Sequence, residues 1–120
     1  MPYIKRDDGR REALRNDEPA LSAGELNYQI FYFIKHNFGN YEYDLEFLDF
    51  KVRYFVNKFL GDKPNYQRYN DMTGALHRCN KEIIRRLKIY TYLLIEICDS
   101  YDEEIAKYED KKIIENMDVE

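Results

Sequence analysis

Arg78, Lys81, Arg85 and Lys88 step by 3, 4 and 3 residues, which lays four cations along one ridge of a helix with Arg86 on its flank. Such a ridge suits a phosphate. Its plain alternative is solvation, or pairing with acids such as Asp44, Glu46 and Asp49 on a neighbouring element. The second chemical signal is aromatic: the chain holds 12 Tyr and 7 Phe but no Trp. Tyr combines an apolar ring with a polar tip, so it serves helix interfaces and also stacking on a nucleobase. Tyr28, Tyr32, Tyr66, Tyr69, Tyr90 and Tyr92 lie on segments that can face the ridge. Asn27 is an amide inside an otherwise apolar helical pattern, and must be satisfied by a protein partner or a ligand. Asn27, Tyr28, Arg78, Lys81, Arg85 and Arg86 are therefore the candidate binding residues, for a small anionic ligand of the nucleotide type.

Other chemistries find little support. The glycines at 9, 24, 39, 61 and 74 are scattered, and none falls in a phosphate-loop context. His77 and Cys79, at i and i+2, point to different faces of a helix, and His36 lies on another element, so neither a metal nor a cofactor is expected. Ser22 is taken by a helix cap, Ser100 sits among acids, and neither has a neighbouring His; no enzyme is expected. Four cations on a chain of net charge -4 give little counterion-release affinity, which makes long nucleic acid an unlikely partner. Charge is unevenly spread: residues 1–95 carry 16 Lys and Arg against 13 Asp and Glu, whereas 96–120 carry 3 against 10. Apolar runs such as Phe31-Tyr32-Phe33-Ile34 fall far short of the roughly 20 residues of a membrane span. The start of the chain has no apolar signal-like core, so a soluble, cytoplasmic protein with Cys79 and Cys98 reduced is expected.

The elements that must position these residues are helical. At 120 residues, with 5 Gly and 3 Pro, the composition predicts one all-α domain, a small bundle of three to four helices. Residues 1–20 read as a charged N-terminal arm with a short helical turn near 12–15, 21–110 as the helical domain, and 111–120 as an acidic tail. Ser22 and Glu25 fit a capping box that opens a helix over 23–38, closed by Gly39. A second helix runs from about 44, with Asp44 as cap, to 60, before Gly61. With Asn70 as N-cap, the apolar stripe Met72, Leu76, Cys79, Ile83, Leu87, Tyr90, Leu94, Ile97, Tyr101, Ile105 and Tyr108 keeps helical register throughout. It predicts one long C-terminal helix over about 71–108, roughly 55 Å in length. Such a stripe outruns the two shorter helices. Either a second chain covers it, making a homo-oligomer and most simply a dimer, or it bends at Asp99-Ser100 into a monomeric four-helix bundle.

Five short blocks carry a family likeness. They are Met1-Pro2-Tyr3-Ile4-Lys5; Gly24-Glu25-Leu26-Asn27-Tyr28; Tyr66 leading to Asn70-Asp71 and Gly74-Ala75-Leu76; Arg85-Arg86; and Tyr108-Glu109-Asp110-Lys111-Lys112 with Glu115-Asn116 and Asp118-Val119. In that order the chain resembles a family of small uncharacterised phage and microbial proteins. It departs from the pattern by extra residues between Phe38 and Tyr66 and between Arg86 and Tyr108, and by Met117 in place of a Gly. The resemblance implies a viral or mobile-element origin and no assigned activity. The sequence thus points to a non-enzymatic accessory binding protein that sequesters a small anionic ligand between helices. The alternative is an interaction or structural protein docking a host or viral protein partner.

Overall fold

The computed structural model describes residues 9–37 and 45–116, and side chains within these except Leu45 and 112–116. Six helices follow in order: α1 (Gly9–Arg15), α2 (Ala23–Asn37), α3 (Leu45–Leu60), α4 (Tyr66–Leu87), α5 (Leu93–Asp99) and α6 (Asp102–Asn116). No strand occurs among the described residues, so the all-α expectation holds. The expected number of helices does not, because the long C-terminal helix is three helices and the N-terminal arm contributes α1.

Local chemistry sets most ends. Helix α1 closes with Asp17 in the left-handed region (φ 67), where the Glu18 amide bonds the Ala13 carbonyl and the Asp17 amide that of Leu14. In α2 the Ser22 hydroxyl accepts the Glu25 amide at 3.2 Å, as a capping box requires. The Glu25 carboxylate reaches one residue further back than the motif prescribes, accepting the Leu21 amide at 2.9 Å. Gly61, at φ 75, ends α3 where the sequence placed that end; Phe38, Gly39 and Asp44 lie outside the described residues.

The start of α4 is earlier than expected. Asn65, rather than Asn70, caps it by accepting the Arg68 amide at 2.8 Å, which adds a turn beginning at Tyr66. Its end is the principal correction to the sequence reading. Lys88 adopts a left-handed conformation (φ 58, ψ 30), its amide returns to the Ile83 carbonyl, and the helix stops. Asp99-Ser100 is indeed a second interruption, but the reversal comes at 88–92. Helix α5 then folds back on α4 and buries Leu94 and Ile97 against it, so this part of the stripe is covered within the chain. Tyr90, placed on the stripe by its spacing, leaves it and is 78% exposed.

The core is a layer in which α2 and α4 pack lengthwise, with α1, α3, α5 and α6 around them. Leu26, Ile30 and Ile34 of α2 meet Met72, Leu76, Cys79 and Ile83 of α4, while Val52, Phe55, Val56 and Phe59 of α3 close one side. Leu14 and Ala20 bring the segment before α2 into the same core. Helix α6 is anchored through Tyr: Tyr108 donates to the Pro64 carbonyl at 2.8 Å, and its ring lies 5.6 Å from that of buried Tyr69. Tyr101, just before α6, donates to Asn57 Oδ1 at 2.7 Å.

Candidate functional site

A cleft of about 440 Å³ opens where α1 and α4 both pack against α2. Its floor comes from α2, on which Tyr28, Tyr32 and His36 recur every four residues and so lie above one another on one face. The Tyr28 and Tyr32 rings are 6.0 Å apart and within 26° of parallel; the Tyr32 and His36 rings are 4.2 Å apart. Phe31 widens this surface towards α4, and Gly24 and the nearly buried Asn27 close its N-terminal end.

Helix α1 supplies one wall. The Arg15 guanidinium sits 4.6 Å from the Tyr32 ring centroid, while its Nε donates to the Tyr28 hydroxyl at 2.7 Å; Arg11 lies 5.2 Å from the Tyr28 centroid. Cations above aromatic faces are attracted by the ring quadrupole. A seven-residue helix does not hold such a position alone. Gln29 of α2 donates from Nε2 to the Leu14 and Glu18 carbonyls, at 2.9 and 2.8 Å, and so ties down the C-terminus of α1. Arg10 grips Glu25 of α2 through two hydrogen bonds, and Lys51 of α3 reaches Asp17 at 2.7 Å.

Helix α4 supplies the other wall through Arg86 and Glu82. The Arg86 guanidinium lies 4.8 Å from the Phe31 centroid. The Glu82 side chain, 10% exposed, accepts Arg85 at 2.8 Å on Oε2, with Arg86 at 4.0 Å. That hydrogen bond to Arg85 holds the Glu82 carboxyl below the usual carboxylate range against the opposing effect of burial, aided by the charges of Arg85, Arg86 and Arg78. Helices α2 and α4 meet closely here, the Cys79 thiol donating to the Asn27 carbonyl at 3.8 Å.

Among the described residues, Arg11, Arg15, Lys35 and Arg86, with His36, thus line the cleft together with one acid, Glu82. Of the residues singled out from sequence, Asn27, Tyr28 and Arg86 come together in it, and Arg85 adjoins it through Glu82. Arg78 and Lys81 do not line it; both are exposed on α4. Only Arg86, on the flank of the basic ridge, faces the cleft. Sequence reasoning missed Arg11, Arg15, Lys35, His36 and Glu82. The signal that finds some of them is the matching four-residue step of Arg11 and Arg15 and of Tyr28, Tyr32 and His36, hidden because 1–20 reads as a charged arm.

Among the described residues, no group of three or more His, Cys, Asp and Glu is arranged to hold a metal ion. No helix of the described residues is long and apolar enough to cross a membrane. Compared with protein-family models, curated proteins and solved structures, the chain matches none.

Proposed function

We propose that the cleft between α1, α2 and α4 binds a small phosphorylated aromatic molecule of nucleotide size, and that the protein works by sequestering this ligand. The observation that carries the reading is the stacked arrangement of Arg11 and Arg15 over Tyr28 and Tyr32, in a cleft where cations outnumber acids on a chain of net charge -4. A phosphate answers the guanidinium and ammonium groups through charge-assisted hydrogen bonds, and a base answers the Tyr faces. The volume of about 440 Å³ lies in the range of small-molecule sites. The resemblance to small phage and microbial proteins adds a setting, an accessory protein that withholds a nucleotide-type molecule from its user.

Native mass spectrometry of the protein purified from cells, followed by calorimetric titration with nucleoside monophosphates, tests this. Retained mass of a few hundred daltons and saturable binding are expected. Arg15→Ala or Tyr32→Ala should weaken that binding about tenfold or more, the order set by one charge-assisted hydrogen bond or one base stack. Binding that ignores both substitutions would discard the cleft. The same spectrum reports the subunit count, and so tests the homodimer.

A second reading rests on a different surface. Phe50, 66% exposed, lies with Tyr54 and Leu93 in an open groove of about 950 Å³ between α3 and α5, rimmed by Glu46, Asp49, Asp62 and Glu96. That surface suits docking on a protein partner.

A further inference from the structure

Glu82 is out of place in a cleft for anions. It is the single acid among the described lining residues, it is 7% exposed, and its charge opposes any phosphate brought near it. A buried carboxylate is costly unless its oxygens are hydrogen-bonded. Oε2 is satisfied by Arg85, with Arg86 beyond it. Oε1 takes no hydrogen bond from a described residue and is not fully buried, so it is open to a ligand. An ionised carboxylate only accepts, so a ligand group packed against it must donate.

We infer that Glu82 reads the base of the bound nucleotide and selects guanine, the common base that presents two adjacent N–H donors, N1–H and the 2-amino group, to the two oxygens of a carboxylate. This rests on the nucleotide reading of the cleft and assigns its ligand class. The recognition is the fork-on-fork pairing of Arg with carboxylate, with the base in place of the guanidinium. Adenine and cytosine offer one amino group beside an acceptor nitrogen, and uracil one N–H between two carbonyls, so each turns an acceptor towards the carboxylate; hypoxanthine offers N1–H beside a C–H and lacks the second donor. The phosphate then pairs with Arg11 and Arg15 of α1, on a different helix from Glu82.

The test is titration of the full chain with GMP, IMP, AMP and UMP by calorimetry, repeated with Glu82→Gln. GMP and IMP differ only by the 2-amino group. GMP should bind about 10- to 100-fold more tightly than IMP or UMP, the range of one or two charge-assisted hydrogen bonds. In E82Q the GMP advantage should shrink to about threefold or less, while UMP binds as well as before or better because the repulsion is gone. Equal affinities in the native protein, or a GMP preference that survives E82Q, overturn the role of Glu82 and leave the cleft reading standing. Absence of binding by all four overturns the cleft reading and this inference with it. Should E82Q fail to fold, Glu82→Asp keeps the charge but shortens the reach, and must likewise lose the GMP-over-IMP preference.

Discussion

Glu25 accepts Arg10 Nε at 3.0 Å and the second Arg10 nitrogen at 2.8 Å, and at the same time takes the Leu21 amide ahead of α2. The Arg10 hydrogen bonds are the main cause holding its carboxyl below the usual carboxylate range, against burial, with the Leu21 amide and the Arg10 charge assisting. A carboxyl whose folded pKa is depressed adds stability that is complete above the ordinary carboxylate value and is lost as pH falls through the lower folded one. Glu25→Gln should therefore cost about 1–2 kcal/mol at pH 7, the sum of a weakened cap and a lost charge-assisted pair. Urea unfolding followed between pH 7 and pH 3 should show the variant losing less stability with acid than the parent. Equal acid sensitivity would mean that the pair contributes nothing. Because Arg10 is next to Arg11 and in the same short helix as Arg15, the same variant should also weaken nucleotide binding.

At the scale of elements, the conformation of one backbone position decides the architecture of the C-terminal half. Lys88, at φ 58, pays the steric cost of a Cβ in the left-handed region to end α4. Glycine carries no such cost, so Lys88→Gly should stabilise the protein by about 0.5–1 kcal/mol, seen as a higher urea midpoint at unchanged slope. Lys88→Pro, with φ locked near −65°, should cost about 3 kcal/mol or more. If α4 instead ran on through 88–92 in solution, Lys88→Gly would destabilise as a glycine inside a helix does. Helix α6 opens with Asp102, Glu103 and Glu104, which suit the positive end of its dipole.

For the whole molecule, folding α5 back on α4 makes a single core that includes both cysteines. Cys79 is fully buried and Cys98 is 2% exposed. Burial is the leading cause that pushes both thiols up, with the Glu82 charge assisting at Cys79. The native protein should therefore show no rapidly reacting thiol towards an aromatic disulfide reagent, and both should react in urea. Their native modification rate should follow opening of the core and fall with each stabilising substitution, Lys88→Gly included. A fast native equivalent would mean that α5 detaches readily from α4. The charge layout also belongs to this scale: the cleft draws cations from three helices, so it is basic on a molecule that is acidic overall.

Several features depend on neighbours a few residues apart and were legible in the chain alone. Ser22 with Glu25, and Gly61 after α3, mark helix ends because capping is a contact between adjacent turns. The apolar period placed Met72, Leu76, Cys79, Ile83, Leu94 and Ile97 in the core, since burial on a helix follows its 3.6-residue repeat. Asn27, Tyr28 and Arg86 were named for the site for local reasons too, an amide, a ring and a cation each unusual in its setting. The tertiary structure alone decided the rest. An unbroken period cannot reveal a left-handed Lys88, because the residues beyond 92 resume the same stripe after the chain has reversed. Nor does a charged segment at 9–15 disclose that Gln29 and Glu25, on the next helix, will fasten it above Tyr28 and Tyr32. Those contacts span 13 to 17 residues along the chain, and their energy exists only once α1, α2 and α4 have packed.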